Sequence, residues 1–487
     1  MTVGGGADTI DMHRCFPPRA AGRSNDRRAA YAGWAAAAFI AFSLAFYCVQ
    51  FPARFADFRA FYCAGQTLRA GADPYREHPL HECEHALRAP ELSFIDAEIT
   101  VPAPFPGCIL GLFAVLSLLP FSVAIALCTL VSVVALLAAI GLIARITAAP
   151  PLAVAVVTLF PALVVPLPLG QPTPLALLAI AGCGALLCAG RPRFAALAVF
   201  GTAFDPHVAL AAGLGLFAAE PRARPVVLGG ATLFVAVGLL VNGPAREWEY
   251  ASVVIPAHAL ANVPEFSQFS TANLAFMAGV PAALALRIGN LWYAVSLVLG
   301  TFVALRLRPT LGPAATAFVP PAFAVFGGAH THFQQLALAI PAFVLAASAA
   351  SARPRALLVA TTFVAAMPWL LLAPFPILFV PLAVAGVVFA RAMRAGAISI
   401  ALGLCSFWLA LGLCCAVAYS ARRYVPFAPI AHGNPLAEVA WSRFVARGAP
   451  PELWVVLSKG PTIAAFLVVL ALLVRMSLTA PPRAHAQ

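Results

Sequence analysis

The chain has 487 residues, 62% of them hydrophobic and only 10% charged, with a net charge of +12 carried almost entirely by arginine. A soluble domain holds roughly 25% charged residues, so the composition excludes an ordinary soluble enzyme. The basic residues are scattered between apolar runs rather than gathered on one face, which argues against nucleic-acid binding and for short basic hinges at a membrane.

Residues 1–29 are rich in Gly, Pro and Arg and lack periodicity, so they read as a disordered tail. Arg14, Arg19, Arg23, Arg27 and Arg28 precede the first apolar run, 31–51, and place the N-terminus in the cytoplasm. The polar stretch is too long, and the run too full in length, for a cleaved signal peptide. Residues 30–480 read as one polytopic membrane domain, and 481–487 as a second tail.

A loop over 52–104 follows. It holds eight of the chain's 18 acids, together with His78, His81 and His85. Within it, Phe58, Phe61, Tyr62, Gly65 and Leu68 recur at helical spacing, the pattern of an amphipathic helix on the membrane surface. Asp57 stands where an N-cap would and Gly71 where a C′ residue would. Asp73-Pro74-Tyr75 then turns the chain.

Beyond the loop the run 105–119 is short for a crossing, and Leu119-Pro120-Phe121 ends it. Apolar runs then cover 121–144, 151–169, 174–190, 194–218 and 225–242. A second polar loop spans 243–270. Runs at 271–286, 289–305, 313–328, 333–350, 356–372, 375–392 and 397–420 lead to a late polar loop at 421–459 and a last run at 461–477. The expected architecture is all-α and polytopic, with about 12–14 membrane helices.

Eleven cysteines include no CxxC pair, and most lie inside apolar runs as small hydrophobes. Cys63, Cys83 and Cys108 lie in or beside the first loop. If that loop faces an oxidising compartment, they are the candidates for a disulfide, with no pairing preferred.

Few residues suit chemistry. Asp57 reads equally as a helix cap and as a general base that takes a proton from an attacking hydroxyl. Asp205 is the one acid inside an apolar run, and Pro206 breaks the helix there, so Asp205 and His207 are expected to line a cavity. His330 and His332, two apart, do not share a helix face, so they are read as substrate contacts and not as metal ligands. Gly170-Gln171 and the stretch containing Gln268 are weaker polar breaks. Arg59, two residues from Asp57, is the favoured cation for a lipid phosphate, and Tyr62 is a further substrate contact on the same helix. No cofactor and no metal site are called for, although a divalent cation stays open.

The run Asp57-Phe58-Arg59-Ala60-Phe61-Tyr62-Cys63-Ala64-Gly65-Gln66-Thr67-Leu68, followed by Gly71-Ala72-Asp73-Pro74-Tyr75, resembles glycosyltransferase family 87. These are polyprenol-phosphate-mannose-dependent mannosyltransferases of the C-type membrane glycosyltransferase fold. Pro104-Phe105-Pro106, Gly170-Gln171, Phe269-Ser270-Thr271 and His330-Thr331-His332 are similar to further motifs of that family in the same order, and the resemblance covers roughly 50–420. The family carries Lys-Pro where this chain has Asp205-Pro206, which exchanges a cation for an anion.

The resemblance implies a polyprenyl-phosphate-sugar donor, a lipid-linked or glycan acceptor, and inversion in a single displacement. Asp57 would be the base, with Arg59 or His332 steadying the departing phosphate. The site would lie at the periplasmic face of a bacterial-type plasma membrane, among membrane lipids. A transporter or lipid flippase is the alternative. It would place its ionisable residues on broken helices at the midplane, as Asp205 alone is placed here.

Overall fold

The computed structural model describes residues 55–87, 100–164, 166–265, 267–328, 330–367, 369, 379–395, 434–447 and 452–480. The N-terminal tail, the first apolar run and the run at 397–420 lie outside them, as do 421–433 and 448–451 of the late loop. The described residues form helices and no strands.

Ala56–Arg69 (α1) and Glu77–Ala86 (α2) come first, then Gly107–Leu116 (α3), Phe121–Thr147 (α4) and Pro151–Leu159 (α5). A π turn, Phe160–Val164, leads to Pro166–Leu169 (α6). Next come Thr173–Cys188 (α7), Pro192–Val199 (α8), Pro206–Ala219 (α9) and Arg224–Asn242 (α10). Pro244–Glu249 (α11), a π turn at Tyr250–Val254 and Ile255–Asn262 (α12) follow without a break. Thr271–Met277 (α13), Ala282–Leu311 (α14) and Ala315–Gly327 (α15) precede a 3₁₀ segment, Phe333–Ala339. The chain continues through Ile340–Ala349 (α16), Ala352–Ala365 (α17), Phe379–Ala392 (α18), Ala437–Arg447 (α19) and Glu452–Thr479 (α20).

Among the described residues five helical runs are long and apolar enough to cross a membrane: Phe121–Thr147, Pro151–Leu169, Arg224–Asn242, Ala282–Leu311 and Lys459–Thr479. At about 1.5 Å per residue, even the shortest approaches the ~30 Å of a hydrocarbon layer. The protein is therefore an all-α membrane protein. Shorter apolar helices pack between these runs, and one hydrophobic core joins α4, α5, α7, α15, α16 and α20.

Three sequence expectations change. The runs 271–286 and 289–305 are divided elsewhere than expected: α13 ends at Met277, and α14 runs unbroken from Ala282 to Leu311. Gly289 lets the helix close on Ala272. The run 194–218 is two helices, split at the 3₁₀ turn Phe200–Thr202 and at Asp205, which stands at the N-cap of α9. The second polar loop is mostly helical.

A second apolar cluster surrounds α1. The Phe61 ring lies 4.7 Å from that of Phe105 and 5.2 Å from that of Phe113, and Tyr62 meets Phe121 edge-on at 5.3 Å. Burial reaches round most of α1, including Arg59, Cys63 and Thr67, so it is an embedded helix rather than one resting on a surface by a single face. A disulfide joins Cys63 to Cys83 of α2, while Cys108 is unpaired.

Candidate active site

The first turn of α1 begins at Phe55, not at Asp57. Phe55 adopts a left-handed conformation, φ 59°, and its N–H donates to the Pro168 carbonyl. Asp57 is thereby inside the helix and caps nothing. Its carboxylate accepts a hydrogen bond from Gln171 Nε2, which reaches it from the break after α6. Gly170 permits this approach: it holds φ +74°, and a Cβ there would stand 2.4 Å from Phe58 Cβ. The other end of α1 is as expected. Gly71 is the left-handed C′ residue, with Gly71 N–H to Leu68 O at 3.0 Å and Ala72 N–H to Thr67 O at 3.1 Å.

Asp73-Pro74-Tyr75 fixes the lead-in to α3. Asp73 Oδ1 accepts the Tyr75 N–H at 3.0 Å, and Asp73 Oδ2 accepts from Arg76 Nε at 3.1 Å. The Tyr75 hydroxyl donates to the Phe105 carbonyl at 2.9 Å and accepts from Asn242 Nδ2 at 3.0 Å. The turn motif thus pins one wall of a cavity.

That cavity, about 340 Å³, is lined by Asp57, Gln171, Asp205, His207, His330 and His332, with Phe61, Phe105, Tyr250, His258, Tyr293 and Trp441 among the rest. Its size suits a small-ligand pocket. Residues from far-apart segments meet here because helix breaks at Gly170, Asp205 and Gly328 all open onto it.

Burial pushes the Asp57 carboxyl up to about 6, against the opposing Gln171 bond and the nearby His332 and Arg59; Glu265 adds to the rise. Asp57 is therefore an ionised base of raised affinity at neutral pH. Glu84, almost fully buried, is raised by burial to about 8 despite the Val101 N–H it accepts at 3.1 Å and the field of Arg59. Arg59 is buried and sits within electrostatic reach of both acids, but it does not line the cavity.

The histidines stand on a polar platform. His332 Nδ1 lies 3.0 Å from Ser267 Oγ, and its Nε2 lies 3.1 Å from Gln268 Nε2 and 3.6 Å from Glu265. The His332 N–H donates to Gln335 Oε1 at 2.8 Å, and Gln335 Nε2 donates to Asp205 Oδ1 at 2.5 Å. His330 Nδ1 lies 3.0 Å from Gln268 Nε2. Its ring centroid is 4.9 Å from that of His258 and 4.5 Å from that of His332. Burial, helped by the neighbouring His332, holds His258 at about 3 and His330 well below the ordinary imidazole value, so both are neutral. The Tyr293 hydroxyl donates to the His207 carbonyl at 2.5 Å.

Of the residues singled out in the sequence, Asp57, Asp205, His207, His330 and His332 share the cavity. Gln268 stands behind them, and the Tyr62 hydroxyl instead donates to the Leu119 carbonyl at 2.8 Å, tying α1 to the turn before α4. Three groups escaped the sequence reading: His258, Asn262 and Trp441. Trp441 Nε1 donates to Asn262 Oδ1 at 2.9 Å, and Asn262 Nδ2 lies 3.1 Å from His258 Nε2. The signal was present, since Tyr250, Val254, His258 and Asn262 recur every four residues, but only along a helix. His78, His81 and His85 do not gather into a cation site, and among the described residues no cluster of metal-ligating side chains exists. No protein-family model, curated protein or solved structure matches the chain.

Proposed function

We propose that the protein is a membrane glycosyltransferase that moves a sugar, mannose by the resemblance, from a polyprenyl phosphate to a hydroxyl of a lipid-linked or glycan acceptor. The observation that carries this reading is convergence: Asp57, Gln171, Asp205, His330 and His332, from four separate stretches of chain, line one cavity in a membrane protein. Asp57 is the general base. It takes the acceptor's proton as that oxygen attacks the anomeric carbon from the face opposite the phosphate, so configuration inverts. The C–O bond to phosphate breaks and polyprenyl phosphate departs. Of the two groups considered for that charge, His332 lines the cavity and Arg59 does not, but both His332 ring nitrogens are already engaged, by Ser267 and by Gln268. The Cys63–Cys83 bond supports an extracytoplasmic, oxidising side for this face.

Purified protein given polyprenyl-phosphate-mannose and a membrane lipid extract is expected to release polyprenyl phosphate and form a glycosylated product of inverted configuration. A donor left intact under all acceptor conditions would count against the reading. The transporter alternative rests on the broken helix at Asp205. Asp205 shares its cavity with Asp57 and is held by Gln335, which fits a site wall better than an ion path.

A further inference from the structure

Lys459 is the chain's only lysine. It lies fully buried where α20 enters its apolar stretch. Its Nζ donates to the Gln268 carbonyl and, at 2.8 Å, to Asn273 Oδ1, and it stands 5.5 Å from the Phe269 ring centroid. Asn273 Nδ2 in turn donates to the carbonyls of Val263 at 2.7 Å and Glu265 at 3.0 Å. One ammonium thus ties the last helix to the segment that carries Glu265, Ser267 and Gln268. A buried ammonium is costly unless fully partnered, and here its partners all belong to the floor beneath the histidines.

The Gln268 side chain has a fixed orientation. The Thr331 backbone N–H, which can only donate, reaches Gln268 Oε1 at 2.6 Å. The amide NH₂ therefore faces His330 Nδ1, His332 Nε2 and, at 3.2 Å, Glu265 Oε2; its two hydrogens serve three acceptors, and because an amide nitrogen cannot accept, neither ring nitrogen can place a hydrogen of its own toward it. Ser267 spends its proton on Glu265 Oε1, so its oxygen accepts from His332 Nδ1. His330 then carries its hydrogen on Nε2 and His332 on Nδ1.

We propose that Lys459 is a positioning residue: by clamping the Gln268 main chain it holds the Gln268 amide where it locks His330 and His332 in opposite neutral tautomers. The cavity is thereby given one imidazole of each kind, one bearing its hydrogen on Nε2 and the other on Nδ1. Activity tests of this idea rest on the glycosyltransferase reading; a spectroscopic test does not.

Nitrogen NMR of histidine-labelled full-length protein in nanodiscs separates the two tautomers and the imidazolium. Spectra of His330→Gln and His332→Gln assign the signals by subtraction. Wild type is expected to show Nε2–H for His330 and Nδ1–H for His332, each as a single form. Gln268→Glu, which keeps the side chain's size and offers only acceptors, is expected to drive hydrogens onto His330 Nδ1 and His332 Nε2. Lys459→Met is expected to give mixed tautomers for both rings, and to lower donor-saturated turnover on the order of 10- to 100-fold while KM moves far less. If Lys459→Met does not fold, Lys459→Arg takes its place and is expected to disturb the same two signals. Reversed tautomers in wild type, or histidine signals unchanged in the folded Lys459 variant, would overturn the proposal. Unchanged turnover with the expected spectra would instead count against the glycosyltransferase reading.

Discussion

At the scale of single residues the account turns on Asp57. Its carboxyl is raised to about 6 by burial, so transfer is expected to climb between pH 5 and 7 with a midpoint about 6 and then level, read from a pH–rate profile. Stability runs the other way. A raised acid binds its proton more tightly folded than unfolded, so ionisation costs stability as pH rises from about 4 through about 6. Asp57→Asn is therefore expected to melt higher than wild type at pH 7.5, and the gap is expected to close below pH about 4. Tyr62 gives a contrasting case. Because its hydroxyl only ties α1 to Leu119, Tyr62→Phe is expected to cost about 1 kcal/mol in stability and to leave transfer unchanged. The polar anomaly at Asp57 was legible in the sequence. Its partner Gln171 was visible only as a weak break, since 114 positions separate them and spacing says nothing about tertiary contact. Lys459 carried a signal, a lone lysine in an arginine-rich chain, but its target lies 191 positions away.

At the scale of elements, α1 was readable because period, turn residues and the Gly71 stop agree. The reading erred at its start, where Phe55 is drawn into a left-handed turn by Pro168, a contact no local rule contains. The same limit misplaced the break between two expected runs, which falls at 278–281, and hid the helix Ile255–Asn262 inside an expected loop, because polar residues such as His258 and Asn262 look like loop when their partners are unknown. The packing of α1 on α3 supplies a strict test. A Cβ at Gly65 would stand 2.3 Å from the Phe113 backbone carbon, where no side chain can yield. Gly65→Ala is expected to lose about 3 kcal/mol or more and to lower the melting temperature measurably, whereas Gly141→Ala, which meets nothing within 4 Å, is expected to leave it unchanged.

At the scale of the whole molecule, composition alone made the membrane class legible, and five described spans agree with it. The cavity was not legible, because it exists only where three helix breaks meet. The Cys63–Cys83 bond chooses among pairings that the sequence left open. Alkylation mass spectrometry of unreduced protein is expected to leave Cys63 and Cys83 unlabelled until a reductant is added. The central claim is that this cavity transfers a sugar with Asp57 as its base. Transfer of radiolabelled mannose from polyprenyl-phosphate-mannose, compared in membranes containing wild type or folded Asp57→Asn, tests it most directly. The account predicts label in acceptor with wild type and at least about a hundredfold less with Asp57→Asn; equal transfer by both would contradict it.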